Sequence, residues 1–278
     1  MSGPGKQALK VGIGGLGTVG LPVARWLDEG QDGGAEGLVL AAVSAENRDR
    51  AQRRMFGFRT PAPVVGLAEI ADLCDVIIEC APPENFLDVA EPALGAGRIF
   101  MPLSVTSLLN HMELIDLARE TGGRIVVPTG AILGLDAVRA AALGTVHSVT
   151  MITRKPPMGL KKAPFVIDQN IDLENLKEAV LLYEGPVREA ASRFPANVNV
   201  AVALSLAGIG PDKTQYQVWA DPNVNRNTHV IKVDADTASF EMTTGVVPTE
   251  ENPATGRIVC LSVMETLRGL VTPFKVGT

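Results

Sequence analysis

The sequence predicts an α/β protein whose amino-terminal half is a doubly wound parallel sheet, followed by a second α/β domain with a mixed, largely antiparallel sheet. Three observations predict this. Short apolar runs alternate with longer amphipathic runs over residues 9–128. A glycine-rich turn follows the first apolar run. After Pro128, helical segments give way to three strand-like segments in succession, which is typical of an antiparallel sheet.

The predicted strands of the first half are continuous apolar runs, as expected of parallel strands that helices cover on both faces. These strands lie at 9–14, 38–43, 75–79, 98–103 and 124–127. The helical patterns between them begin near residue 18 and cover 45–55, 84–94 and 106–121. Strands that alternate with helices in this way predict the doubly wound architecture.

The second half has a different order of predicted helices and strands. Its predicted helices lie at 134–143, 174–179, 187–194 and 198–207, and its predicted strands at 146–154, 215–220, 229–233 and 239–245. Asn252-Pro253 opens a last helix that reaches about residue 270. We therefore expect a dinucleotide-type domain at 1–129, a catalytic and dimerisation domain at 130–250, and a helix within 251–278 that packs back on the first domain.

The charge, the apolar segments and the cysteines of the chain argue against several classes of function. The 278 residues carry a net charge of −6, which argues against a sequence-independent nucleic-acid binder. There is no basic block for a membrane surface, and the longest apolar region, 198–209, is too short to span a bilayer. The amino terminus has no apolar core typical of a signal peptide. Three cysteines without C-x-x-C spacing favour a reducing, cytoplasmic location.

The glycine turn fits the G-x-G-x-x-G pattern in two registers, Gly12/Gly14/Gly17 and Gly15/Gly17/Gly20. The second register is preferred because it places the strand at 9–14 and the helix directly after the turn. Such a turn holds a dinucleotide pyrophosphate on the amino end of the helix. An ordinary glycine-rich turn is the alternative. The predicted cofactor contacts here are Gly15, Leu16, Gly17, Thr18 and Val19.

The end of the second strand bears on the choice between NAD and NADP. An acidic side chain there would hold the ribose 2′-hydroxyl of NAD, but the sequence is Val-Ser44-Ala-Glu46-Asn-Arg48. Glu46 can serve this role or can be a first-turn acid of the next helix. Ser44 and Arg48 are suited to a 2′-phosphate. The cofactor is therefore predicted as NAD or NADP, with Ser44 as a contact.

One of three histidines is the preferred candidate for proton transfer, since an unperturbed histidine titrates near neutral pH. His229 follows a polar turn and enters a strand, whereas His111 and His147 lie in surface-type segments. Asp221 either orients His229 or forms the turn before Pro222. No metal-ligand spacing and no G-x-S-x-G motif is present, so neither a metal nor a serine nucleophile is predicted.

An ordered set of motifs resembles the L-aspartate dehydrogenase family. Beyond the glycine turn, these are Pro128-Thr-Gly-Ala with Gly134-Leu-Asp, Thr153-Arg-Lys-Pro-Pro, Tyr183-Glu-Gly, Phe194-Pro-Ala-Asn-Val-Asn, Leu206-Ala-Gly-Ile-Gly-Pro, Ala220-Asp-Pro, Asn227-Thr-His and Asn252-Pro. Each motif is modest, but together they span nearly the whole chain in order.

The resemblance implies a Rossmann domain plus an α/β catalytic domain, usually in a homodimer. It implies NAD(P)-dependent oxidative deamination of L-aspartate through iminoaspartate, an imine that feeds NAD biosynthesis in some organisms. By position, Ala131 and Asn197 are implied as cofactor contacts and His229 as the active-site residue. From the residues alone, Asn197 is equally a helix N-cap. Arg154 and Lys155, at the end of a strand, are candidates for the carboxylates of a dicarboxylate substrate; solvated strand-end charges or structural ion pairs are the alternative.

Two departures from the family pattern bear on the substrate. Thr106 and Ser107 stand where the family tends to have Gly and Ala, and Ala254 and Gly256 stand where it commonly has a basic residue and Ser. The alternatives are therefore the same architecture acting on another amino acid, a semialdehyde or a cyclic imine, and, in another class, a dinucleotide-sensing protein without turnover.

Overall fold

The computed structural model describes residues 7–195, 198–252 and 255–277. The chain divides into two compact units. The first consists of Met1–Pro128 and Cys260–Val276, and the second of Thr129–Val259 with Gly277–Thr278. Residues 251–259 therefore belong with the second unit, and most of the last helix belongs with the first.

The first unit contains a six-stranded sheet in which all neighbouring strands are parallel. Its strands are β1 (Leu9–Gly14), β2 (Leu38–Ser44), β3 (Val64–Val65), β4 (Val76–Glu79), β5 (Ile99–Pro102) and β6 (Arg124–Ile125). They are ordered β3-β2-β1-β4-β5-β6, which is the doubly wound order with its switch point at β1 and β4. The predicted parallel sheet is confirmed.

Six helices follow these strands along the chain. They are α1 (Gly20–Glu29), α2 (Arg48–Arg54), α3 (Ile70–Leu73), α4 (Phe86–Gly95), α5 (Val105–Asn110) and α6 (Leu114–Thr121). The core of the unit is apolar: Val11 and Ile13 of β1 and Val23 of α1 are fully buried in it. This explains the unbroken apolar runs, because both faces of the sheet are covered.

One helix prediction in this unit was wrong, and two others differ from the structure by two or three residues at their starts. The single helix expected at 106–121 is two helices, with a break at 111–113 where His111 has an extended φ of −132° and its Nδ1 lies 3.0 Å from Glu113 Oε1. The second helix begins at Arg48 instead of 45, because the Asn47 side chain caps it by accepting from the Arg50 N–H at 2.8 Å. The first helix begins at Gly20 instead of 18.

Within its described residues, the second unit contains a five-stranded mixed sheet and four α-helices. The helices are α7 (Leu135–Ala141), α8 (Pro164–Asp168), α9 (Val187–Arg193) and α10 (Asn199–Ala207), and the strands are β7 (Val146–Lys155), β8 (Val180–Pro186), β9 (Gln215–Ala220), β10 (Thr228–Ala235) and β11 (Ser239–Gly245). The strand order is β11-β10-β7-β9-β8. Only β7 and β9 pair in parallel, so the predicted mixed, largely antiparallel sheet is confirmed.

Sequence order and strand order differ in this sheet. The three strands that follow one another in sequence are not all neighbours, because β7 lies between β9 and β10. The helix predicted at 174–179 is wrong: these residues are irregular, and the Asp172 carboxylate accepts from the Glu174 N–H at 2.8 Å in a turn. Strand β8 was missed because a bulge between Leu181 and Tyr183 breaks its alternation.

The last helix is α11 (Ile258–Val271). It begins later than predicted, because Gly256 forms a β-bridge with Pro248 before the helix starts; Pro253 lies outside the described residues. Val263 and Leu267 are fully buried in the core of the first unit. Among the described residues, no helix is long and apolar enough to cross a membrane.

Candidate functional site

The glycine turn joins β1 to α1 at the carboxyl edge of the parallel sheet. Gly15 has a φ of +106°, and a Cβ on it would lie 2.5 Å from the Cys80 carbonyl oxygen. A Cβ on Gly20 would lie 1.9 Å from the Gly15 carbonyl oxygen. A Cβ on Gly17 would meet nothing within 4 Å. Gly15 and Gly20 are therefore required by the fold, while Gly17 leaves an open approach to the backbone.

This arrangement fits a dinucleotide pyrophosphate in the Gly15/Gly17/Gly20 register. The first glycine makes the tight turn, the second admits the phosphates, and the third lets the helix pack against the turn. Gly12, the first glycine of the other register, lies inside β1, where a Cβ would be 2.8 Å from the Cys74 Sγ. The structure therefore favours the register preferred from the sequence.

We expect Gly20→Ala to lower the free energy of unfolding of the protein by roughly 3–5 kcal/mol, because the new methyl group cannot fit without a shift of the Gly15 backbone. Urea unfolding followed by circular dichroism measures this. Gly17→Ala is the matched control, with an expected change within about 0.5 kcal/mol. Equal stabilities of the two variants would contradict the packing role of Gly20.

The other predicted contacts of the first unit surround this turn. The Leu16 carbonyl accepts from the Arg54 guanidinium of α2, Thr18 and Val19 are half-buried, and the buried Ser44 at the end of β2 accepts from the Gly15 N–H through its carbonyl at 2.7 Å. Hydrogen bonds to α2 and to the end of β2 therefore hold the glycine turn in place. The roles of these residues in cofactor binding stay predictions.

A polar depression lies beyond the end of β2, where the sequence left the choice between NAD and NADP open. It is lined by residues 46–50. Glu46 and Arg48 are both exposed there, so an acid and a base are available at the same place. The geometry therefore keeps both cofactors possible.

Sequence reasoning missed a buried carboxyl at the same sheet edge. Glu79, the last residue of β4, is fully buried and accepts from the Ser104 N–H at 3.0 Å and from its Oγ–H at 3.1 Å. Burial raises the pKa of Glu79, and these hydrogen bonds act in the opposite direction. The carboxyl fixes the turn between β5 and α5. The signal available in the sequence was that Glu79 ends an apolar strand and Ser104 follows the next strand, which predicts that the two side chains meet at the same sheet edge.

In the second unit, His229 lies on a buried face of the sheet. It is 3% exposed, and its Nδ1 lies 3.0 Å from the Thr153 Oγ1 on the neighbouring strand. Burial lowers the pKa of His229 to about 3, and the charge of Lys155 acts in the same direction. The imidazole is therefore neutral at neutral pH, and the titration near pH 7 expected from the sequence was wrong for this environment.

Two further polar groups share that face. Tyr216 of β9 is fully buried, and burial raises its pKa to about 12. Lys155, the last residue of β7, is 6% exposed, and burial lowers its pKa to about 8. Sequence reasoning missed Thr153 and Tyr216. Thr153 and Lys155 are separated from the buried Val149 and Met151 by even numbers of residues, so all four lie on one face of β7. This alternation was the signal that could have placed Thr153 and Lys155 on the face of His229.

Arg154 and Lys155 were expected to act together, but they belong to opposite faces of β7. The Arg154 guanidinium lies 4.8 Å from the centre of the Trp219 ring and 3.0 Å from the Asp221 carboxylate. Asp221 also accepts from the Asn223 N–H at 2.9 Å. Asp221 therefore forms the turn and pairs with Arg154, and the partner that orients His229 is Thr153.

The remaining predicted residues differ in how they are placed. Ala131 is buried in the segment before α7. Gly134 in the same segment packs closely on β11, because a Cβ on it would lie 2.1 Å from the Met242 Sδ. Asn197 lies outside the described residues, as does Ala254. His147 is exposed on β7. Within residues 7–195, 198–252 and 255–277, no group of three or more His, Cys, Asp or Glu side chains could hold a metal ion.

Of the four residues that depart from the family pattern, Thr106, Ser107 and Gly256 lie within the described part of the chain. Thr106 is buried in α5 and Ser107 is half-buried beside it. A Cβ on Gly256 would lie 2.1 Å from a methyl group of Val246, so the glycine is required by the local fold of this chain.

Comparison with known proteins covers both units. Residues 15–128 match the family described as homoserine dehydrogenase, NAD binding domain, and residues 136–270 match the family described as aspartate dehydrogenase, C-terminal. The chain is 49% identical to L-aspartate dehydrogenase of Bradyrhizobium diazoefficiens, over 97% of this chain and 94% of that protein. It is 47% identical to L-aspartate dehydrogenase 3 of Bordetella bronchiseptica, over 98% and 99%.

A solved structure has the same fold. The chain is similar to aspartate dehydrogenase of Thermotoga maritima with a TM-score of 0.73, covering 97% of this chain and 99% of that one at 21% identity. The likeness therefore extends along the whole of both chains.

Proposed function

Because this chain belongs to the L-aspartate dehydrogenase family, we propose that it oxidises L-aspartate to iminoaspartate, which water converts to oxaloacetate and ammonia, or runs the reverse amination. The chain is an oxidoreductase with an NAD(P)-binding domain. The single observation that carries the substrate assignment is the 49% identity over 97% of the chain to a protein of that name.

The glycine turn is the proposed binding site for the pyrophosphate of NAD or NADP. When bound, the nicotinamide ring accepts a hydride from the substrate Cα. Leu16, Thr18 and Val19 supply backbone around the phosphates, and Ser44 bounds the adenosine end. Ala131 and Asn197 are proposed as further cofactor contacts from their positions in the family pattern.

His229 is the proposed active-site residue of the second unit. Its Nδ1 is engaged by the Thr153 hydroxyl at 3.0 Å, which leaves Nε2 as the ring atom for the substrate. Because the imidazole is neutral, it can donate or accept a hydrogen bond without placing another positive charge beside Lys155. Thr153 sets the ring orientation and thereby the direction of Nε2.

The experiment that tests this function is a substrate screen. Purified protein is mixed with NAD⁺ or NADP⁺ at alkaline pH, and reduced cofactor is followed at about 340 nm with L-aspartate, other amino acids, a semialdehyde and a cyclic imine. We expect L-aspartate to give the highest kcat/KM. A better substrate among the others would reassign the specificity, and cofactor binding without any reduction would indicate a sensing protein.

Arg48→Ala tests the 2′-position of the ribose. We expect kcat/KM for NADP⁺ to fall about five- to tenfold while that for NAD⁺ changes less than about twofold, because only a 2′-phosphate gains from the guanidinium. Arg53→Ala, an exposed arginine of the same helix, is the control. An equal loss with both cofactors would contradict this role of Arg48.

We also propose that the protein works in the cytoplasm as a homodimer and that its imine product can feed NAD biosynthesis. Cys74, Cys80 and Cys260, all within the described residues, form no disulfide, which favours a reducing compartment. Sedimentation equilibrium tests the oligomer: a dimer has about twice the 29.3 kDa mass of the chain. A single species at the mass of one chain would contradict the dimer.

A further inference from the structure

Lys155 and His229 lie on one face of the sheet and on neighbouring strands. Residue pairing between β7 and β10 sets Thr153 opposite His229 and Met151 opposite Ile231, and all four side chains are buried. Lys155 is two residues beyond Thr153, so alternation returns it to this face. Its diagonal separation from His229 is about 7–8 Å between backbones, within reach of a long side chain.

Both residues are also at one edge of the sheet. Strand β7 ends at Lys155, its parallel neighbour β9 ends at Ala220, and the antiparallel β10 starts at Thr228. The Asp221 N–H donates to the Lys155 carbonyl at 2.9 Å, which holds the polar turn of residues 221–227 against this edge. Lys155 is therefore fixed by its backbone where loops meet the buried face.

The charged and titratable groups around Lys155 divide between the two faces. On its own face are His229 of β10, Tyr216 of β9 and Tyr183 of β8, and α10 carries no charged residue. On the other face, Arg154 and Asp221 form their own ion pair. The pKa of His229 is about 3 and that of Tyr216 about 12. Of these three groups, Lys155 is therefore the one that titrates near pH 8.

We propose that Lys155 is the proton acceptor of this site, taking a proton from the α-ammonium group of the substrate while neutral His229 acts as a hydrogen-bonding partner. This inference rests on the proposed function. It differs from the sequence-based hypothesis that Lys155 binds a carboxylate of the substrate, and it gives a role to a lysine buried on the same face as Thr153 and His229.

The proton and electron balance is complete. The ε-amine of Lys155 takes one proton and becomes ε-ammonium, and the substrate becomes an α-amine. The oxidised nicotinamide, when bound, would supply the oxidant by accepting the hydrogen and electron pair of the Cα–H bond, and the nitrogen lone pair would form the C=N bond of the iminium. The ε-ammonium returns its proton to solvent.

The sign of the pH dependence follows. Only the uncharged ε-amine accepts a proton, so kcat/KM for L-aspartate in the wild type should rise with pH and level off above a midpoint near 8. We expect Lys155→Met to lose about 100-fold or more in kcat and to lose this rise with pH. Affinity for NADH, measured by fluorescence titration, should change less than about twofold.

Chemical rescue separates proton transfer from a structural role. Added methylamine or ethylamine should restore at least about tenfold of the activity of Lys155→Ala, in proportion to the concentration of free amine. Lys162→Met, at an exposed lysine of the same unit, is the control and should retain wild-type kinetics. Absence of rescue together with a wild-type pH profile in Lys155→Met would overturn the proposal.

A measurement on the wild-type protein keeps the inference testable if the variants fail to fold. In protein labelled with ¹³C at the lysine ε-carbon, one NMR signal should titrate near pH 8, and it should be absent from the Lys155→Met variant. If every lysine signal titrates above 10, the proposal is wrong. If the wild type does not oxidise L-aspartate, the proposed function fails, whereas an active wild type with an active Lys155→Met variant refutes only Lys155.

Discussion

Replacing His229 by alanine is expected to lower kcat for L-aspartate by about 100-fold or more, the usual scale for loss of a group that directs proton transfer. The imidazole is buried, and its Nδ1 lies 3.0 Å from the Thr153 Oγ1. Burial lowers its pKa, and the charge of Lys155 lowers it further. Its removal would take away the proposed hydrogen bond to the substrate and leave space on the sheet face that also carries Lys155. Steady-state kinetics with saturating cofactor measures this effect.

The same variant should bind NADH with wild-type affinity, because the glycine turn belongs to the other unit. His147→Ala is the matched control: this histidine lies exposed on β7, and its removal should leave kcat unchanged. His229→Asn tests whether a smaller neutral hydrogen-bonding group restores part of the rate. A kcat of His229→Ala within about threefold of the wild type would remove His229 from the mechanism.

Replacing Gly17 by valine is expected to weaken NADH binding by about tenfold to 100-fold without destabilising the fold. No atom lies within 4 Å of a Cβ at this position, so the side chain fits in the free protein. In the complex it would stand where the phosphates approach the backbone. Loss of one charge-assisted hydrogen bond of roughly 1.5–3 kcal/mol corresponds to this range.

Two measurements read out this variant: NADH fluorescence titration for affinity and thermal unfolding for stability. Gly95→Val is the control, since Gly95 also has open space at its Cβ position and lies at the end of α4. It should bind NADH as the wild type does. Equal affinities of Gly17→Val and wild type would show that the pyrophosphate does not lie on this turn.

The parallel-sheet half could be predicted from sequence because its signals are local. The run at Leu9–Gly14 is buried on both faces from Val11 onward, and the glycine spacing indicates where the strand ends. Elements that depend on distant partners were missed. Val64–Val65 is a two-residue strand that exists only by pairing with β2, and Val180–Pro186 has a bulge that hides its alternation.

Candidate residues of the proposed site could be named from the sequence, and their roles stay predictions, but their environment could not be foreseen. His229 could be selected because a polar turn delivers it into a strand. Its burial, and the resulting low pKa, follow from the position of β7 between β9 and β10, which no local pattern encodes. The same pairing brings Thr153 to its Nδ1, whereas the placement of Arg154 and Lys155 on opposite faces follows from the alternation along β7.

The most direct test of the central claim follows the hydrogen atom that the reaction moves. Purified protein is incubated with NAD⁺ or NADP⁺ and L-aspartate deuterated at Cα, and the products are analysed by mass spectrometry and enzymatic ammonia assay. The account predicts one deuterium on each reduced nicotinamide, with oxaloacetate and ammonia formed in equal amounts. Cofactor that binds but stays oxidised, or deuterium that stays on the substrate carbon, would contradict it.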